Sequence, residues 1–254
     1  MNTNKERIAE ICCGSYEDAI ASYKGGAKRI ELNQALYLGG LTPSLASLLL
    51  TKQNTNLTVI TMIRTRGAGY CYNAEEFEVM KMDAELMMKN GADGLAFGCL
   101  NKDSSINIEQ TKIITDIVKK YNGEAVFHRA FDCVSSPFTE IEKLIDLGID
   151  RLLTSGQQPK AMDGLDLIKK LQNIYGDKIQ ILVGSGVNAG NALHIMEETG
   201  IYQVHSSCKD WKNDPTTVNE NNPSLNYSYA PLPNNKSYEY VNEELVRNLT
   251  KVIQ

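Results

Sequence analysis

The chain has 254 residues, 42% of them hydrophobic, with 26 Lys plus Arg against 31 Asp plus Glu and a net charge of −5. That mild acidic balance, with no Lys/Arg run, excludes the concentrated basic footprint that non-specific nucleic-acid binding needs. No apolar run is long enough to cross a bilayer and the first residues carry no secretory pattern, so a cytoplasmic protein with six free thiols is expected.

The first apolar run, "RIAEICC" at 7–13, reads as a strand, and "SYEDAIASYKGGA" after it as a short helix with a Ser N-cap and a Gly stop. Further strands are predicted at 29–33, 57–64 and 94–100, with helical periodicity over 75–90 between the last two. The periods continue with a helix over 107–121, strands at 124–131 and 151–155, and a helix over 161–175. Strands at 178–186 and 203–208 complete the series. Residues 209–236 are Asn- and Pro-rich without period, a loop that is either a functional lid or disordered, and a last helix is predicted over about 237–252. Eight strand–helix units predict an α/β protein, one (β/α)₈ TIM-barrel domain over 1–254, rather than an open sheet. "GSG" at 184–186 comes late and is no GxGxxG, which weakens a dinucleotide-binding alternative.

Chemistry in such a barrel gathers at the C-terminal strand ends, and the polar residues obey that rule. Strand 1 offers Glu10 and Cys12, strand 2 Glu31 and Asn33, strand 3 Arg64 and then Arg66. Strand 5 carries His128, Arg129 and Asp132, strand 6 ends at Ser155, and strand 8 holds His205 and Ser206. A buried carboxylate needs a partner, so Glu10 and Glu31 are expected to meet Arg64 or Arg129. His128 is the candidate acid or base, with Glu10, Glu31 or Asp132 orienting it or taking the second proton-transfer role. Arg64, Arg66 and Arg129 could clamp an anionic group, joined by Ser155, His205 and Ser206. Gly184 and Gly186 flank a turn where barrels often hold phosphate on backbone N–H groups. A small anionic, sugar- or phosphate-like metabolite suits this mouth; isomerisation, lyase chemistry and hydrolysis all stay open.

The motifs, in order, resemble the CutC family, named for copper homeostasis: "EICC" at 10–13, "RIEL" at 29–32, "GGLTPS" at 39–44 and "CY" at 71–72, then "FHRAFD" at 127–132, "LTSGQ" at 153–157, "GSGV" at 184–187 and "VHSS" at 204–207. The resemblance implies a cytoplasmic TIM barrel that forms a homo-oligomer, a dimer or tetramer, and handles copper. It departs at Asn33, where family members usually carry Cys, and at "RTRGAG" (64–69), which keeps both arginines of the family's Arg-Pro-Arg-Gly-Gly but not its proline. Cu(I) is soft and wants sulfur. Adjacent strand residues point to opposite faces, so Cys12 and Cys13 cannot close on one ion, and Cys12 is the candidate ligand, with Cys71 or Cys99 as distant partners. A hard divalent ion on the carboxylate–histidine set is a further possibility.

Overall fold

In a computed structural model that describes residues 6–254, eight parallel strands close on themselves in chain order, β1 to β8, with β1 also pairing β8. They are β1 Ile8–Cys13, β2 Arg29–Leu32, β3 Thr58–Met62, β4 Gly94–Phe97, β5 Glu124–Phe127, β6 Arg151–Thr154, β7 Gln180–Val183 and β8 Gln203–Ser206. Helices α1 Tyr16–Lys24, α2 Leu45–Asn54, α3 Ala74–Lys89, α4 Ile108–Lys120, α5 Pro137–Asp146, α6 Leu165–Tyr175, α7 Ala192–Thr199 and α8 Glu243–Ile253 intervene or follow. This is the (β/α)₈ barrel that the alternating pattern predicts.

Period two divides each strand. Outward residues such as Ile11, Ile30, Leu95, Phe127 and Ile181 are buried in one continuous apolar core that also holds the helices' inner faces. A separate apolar cluster of Ile60, Met62, Ala96 and Val126 fills one side of the barrel interior. Polar side chains fill the rest. Arg29 pairs with Glu10 at 2.6 Å, and Arg151 reaches Glu10 at 3.4 Å and also pairs with Glu124. Gln203 accepts from Arg29 and donates to Gln180 at 2.6 Å. Glu10 therefore meets Arg29 and Arg151, not Arg64 or Arg129. The reason is register: Arg29 is the direct partner of Glu10 across β1 and β2, whereas Arg64 lies beyond the end of β3.

β4 and β7 stop at Phe97 and Val183, short of the expected 100 and 186, and two further boundaries bear on the site. β5 stops at Phe127, and Arg129–Cys133 form a 3₁₀ turn capped by His128, whose Nδ1 accepts the Ala130 N–H at 3.2 Å. The chain after β8 is not irregular from its start. Lys209–Asn213 form a strand, β9, that pairs antiparallel with β10, Ser237–Val241, so the last helix begins only at Glu243. "SYEYV" alternates aromatic Tyr238 and Tyr240 with Glu239 and Val241, which suits a strand better than a helix. The hairpin lies against α1, where Val241 donates its N–H to Asp18 and Lys212 pairs with Glu17.

Candidate functional site

β8, β1 and β2 are neighbours, and their register builds one wall of the mouth. Glu10 lies opposite His205, and Cys12 lies opposite Glu31. One ligand atom from each of Cys12, Glu31 and His205 falls within 4.8 Å of the others. His205 Nδ1 sits 2.9 Å from Glu10 Oε1, so Nε2 is the ring nitrogen left for another partner. Glu31 Oε1 accepts from Asn33 Nδ2 at 2.9 Å, while the buried Oε2 has no hydrogen-bond partner. Asn33 Nδ2 also lies 3.7 Å from Cys12 Sγ. Gly40, at φ +86°, keeps this corner open, since a Cβ there would meet Asn33 Oδ1 at 2.4 Å.

The electrostatics of this wall follow from burial. Burial alone would raise the Glu10 carboxyl, but Arg29, His205 and Arg151 hold it down at about 2. Burial would lower His205, yet its bond to Glu10 and the charge of Glu31 raise it. Glu31 is pushed up, chiefly by burial. Burial and the neighbouring Glu31 push the Cys12 thiol well up, so it is a protonated thiol unless something displaces the proton.

The facing wall comes from β5 and its turn. His128 is 3% exposed; with Nδ1 accepting from Ala130, its proton belongs on Nε2, which has no partner. Burial, then Arg64 and Arg129, push the imidazole down to about 3, so it is neutral at working pH. Gly98 makes room for the ring, because a Cβ there would stand 2.7 Å from His128 Nδ1. Tyr70 tilts across it at 4.9 Å between ring centres. Between the walls lies a cavity of about 300 Å³, lined among others by Cys12, Glu31, Met62, His128, Arg129 and His205. Ser185, Gly186 and Ser206 also reach it, while Gly184 packs behind His205.

Other expected site residues are committed to structure. Both oxygens of Asp132 are saturated by Thr154 Oγ1, Ser155 N and Oγ, Gln157 N and Arg129 Nε. Arg129 spends Nη2 on Ser155 Oγ at 2.8 Å, and its side chain lines the cavity. Arg64 ties the carbonyls of Leu38 and Gly40 at 2.9 and 3.1 Å, and also that of Ala68. Arg66 pairs with Glu76 and binds the carbonyls of Gly67, Gly69 and Cys71. These two arginines brace the loop after β3. Cys71 is exposed and Cys99 lies in the outer core, and neither joins Cys12 in a metal-binding group among the described residues. Sequence reasoning missed Arg151, Tyr70, Lys209 and Glu239. Arg151 carries a signal, since it opens a buried strand on the same face as Leu153; Glu239 carries none, because the sequence predicts helix where β10 lies. A larger recess of about 600 Å³ opens at the opposite end, lined by Arg7, Lys28 and Thr250 among others, and holds none of the expected site residues.

A family model described as the CutC family matches residues 7–210. A family protein CutC from Treponema denticola is 43% identical over 245 residues, covering 96% of this chain and 97% of the relative. A human protein named copper homeostasis protein cutC homolog is 40% identical over 202 residues, 80% of this chain and 73% of that one. Among solved structures, a CutC protein from Streptococcus agalactiae superposes with a TM-score of 0.75 at 30% identity, covering 79% of this chain and 98% of the other. KGPDC from Streptococcus mutans reaches a TM-score of 0.61 at 12% identity over 98% of both chains, a likeness of fold alone.

Proposed function

Because the chain belongs to the CutC family, we propose that it is a copper homeostasis protein whose barrel mouth binds a metal ion on Cys12, Glu31 and His205. The observation that carries this reading is the convergence of a sulfur, an imidazole nitrogen and a carboxylate oxygen within 4.8 Å. The support is strengthened by Glu31 Oε2, a buried acceptor with no partner that a cation would satisfy. Glu10 behind His205 supplies the carboxylate that orients a metal-ligating imidazole. Cu(I) finds two suitable donors here, Cys12 and His205, whereas a divalent ion finds all three. Binding through Cys12 expels the thiol proton. The described cysteines are free, which fits a reducing compartment such as the cytoplasm.

The test is competition against a Cu(I) chelator in anaerobic buffer, repeated with Zn(II). Cys12→Ser is expected to remove most of the binding. Cys13→Ser is expected to leave it unchanged, because the Cys13 thiol faces Ser22 of α1 at 3.2 Å. Equal loss from both, or no binding by the wild type, overturns the proposal.

A second reading is favoured by the facing wall. His128, with an unpartnered Nε2–H, and Arg129 line the same cavity, a pair suited to an oxygen of a small anionic metabolite. In this role a neutral His128 donates a hydrogen bond instead of shuttling a proton. Inorganic phosphate and simple hydroxy-carboxylates are expected to raise the melting temperature of the wild type and not of His128→Asn. Equal shifts in both proteins would remove His128 from the site.

A further inference from the structure

The β9–β10 hairpin brings a fourth donor to the same place. Glu239, near the middle of β10, lines the mouth cavity together with Cys12, Glu31 and His205. It also lines a second cavity of about 290 Å³ beside the mouth, whose wall shares Cys12, Leu36 and Ser207 with the first. The Glu239 side chain is only 11% exposed. One oxygen, Oε2, pairs with Lys209 Nζ at 3.0 Å, and the other, Oε1, is buried with no partner. Its carboxylate lies outside the group of Cys12, Glu31 and His205 atoms that stand within 4.8 Å of one another, so it reaches an ion there only by closing toward the mouth. Across the mouth, Glu31 is 3% exposed and its Oε2 is likewise unpartnered. Two buried carboxylates with an idle oxygen each, on one cavity with a thiol and an imidazole, make a costly arrangement unless a cation joins them.

We infer that Glu239 is the fourth ligand of the mouth, so that the hairpin closes a Cys12–Glu31–His205–Glu239 site around a divalent ion. The inference rests on the metal-binding reading above and sharpens its selectivity. Four donors complete the tetrahedral set that Zn(II) takes in closed sites. Two of the four are carboxylates, which favour a divalent ion and add little for soft Cu(I). Three ligands come from the rigid barrel and the fourth from an appended hairpin. Loading therefore draws Glu239 of the hairpin, which already lies against α1, toward the mouth, and emptying the site leaves Glu239 to its ion pair with Lys209. Lys209, 42% exposed and stacked over Trp211 at 5.3 Å, is the element that holds the carboxylate when no ion does.

Zn(II) and Cu(I) affinities measured by chelator competition on the full chain, for the wild type, Glu239→Gln and Lys209→Met, test this. Gln keeps the size of Glu and removes the anionic donor, whereas Lys209→Met breaks the same ion pair and keeps the donor. Glu239→Gln is expected to weaken Zn(II) by about tenfold or more while Cu(I) changes little. Lys209→Met is expected to hold or tighten Zn(II). Amide exchange gives an independent readout: Zn(II) is expected to slow exchange across 209–213 and 237–241 in the wild type and not in Glu239→Gln. Unchanged Zn(II) affinity in Glu239→Gln, or an equal loss in Lys209→Met, overturns the inference even when Cys12→Ser abolishes binding. Absence of any binding by the wild type removes the metal reading itself, and this inference with it.

Discussion

His128 shows how one side chain serves both fold and site. Its Nδ1 caps the turn after β5 by accepting the Ala130 N–H, and its Nε2 is left over on the cavity side. Burial and two nearby arginines hold the folded imidazole at about 3, against an ordinary 6.5. Above pH 6.5 the ring is neutral in folded and unfolded chains alike, so it adds no pH dependence there. Between 6.5 and about 3 only the unfolded chain takes up the proton, and folding loses about 1.4 kcal/mol per pH unit until the folded ring titrates too. His128→Asn removes this contribution and keeps an oxygen able to accept from Ala130. Urea unfolding from pH 7 to about pH 5 should cost the wild type about 2 kcal/mol more than the variant. Parallel losses in the two proteins would mean that the ring is solvated and protonates in place. Asp132 is the contrast: its oxygens are filled from β6 and the turn, so it builds the site's frame. A strand-end aspartate beside a histidine looks the same in sequence whether it reacts or braces. Only its partners tell, and those come from Thr154, Ser155 and Gln157, residues that the pattern leaves unassigned to it.

At the scale of elements, the barrel strands were legible because each is a short apolar run between turns, and burial on both faces needs nothing more. The identity of the ion pairs was not. Glu10 meets Arg29 and Arg151 because β1 sits between β2 and β8 while β6 projects an arginine across the interior, and register and closure lie outside any local pattern. The hairpin was hidden for another reason. Its two strands are separated by the polar stretch 214–236, so no short turn signal joins them. Register places Asn213 opposite Ser237, so the ends of that stretch already stand side by side. The stretch meets the barrel's own loops through Tyr229, which stacks on Tyr37 at 4.2 Å. Replacing 214–236 with a two-residue Asn-Gly turn is therefore expected to leave the hairpin paired and the urea midpoint within error of the wild type. Loss of the cooperative transition would show that the excised stretch is part of the fold and not a covering for the side cavity.

Taken whole, the molecule separates its duties along the barrel axis. Arg29, Gln203, Gln180, Arg151 and Glu124 fill the interior below with paired polar groups, and Glu10 links them to His205 at the mouth. The donors at the mouth come from the first, second and last strands of the ring, where β8 meets β1. Glu10 and His205 touch across 195 positions of sequence. That distance has a consequence in time. A chain leaving the ribosome at about 5–20 residues per second has long exposed Cys12 and Glu31 before His205 emerges. Until then the thiol has no ring nitrogen beside it, and nascent protein offers an ion only a lone sulfur and a carboxylate. If the mouth binds metal as proposed, its barrel donors come together only with ring closure, late in synthesis, so that a growing chain would be spared from trapping metal in a half-built barrel.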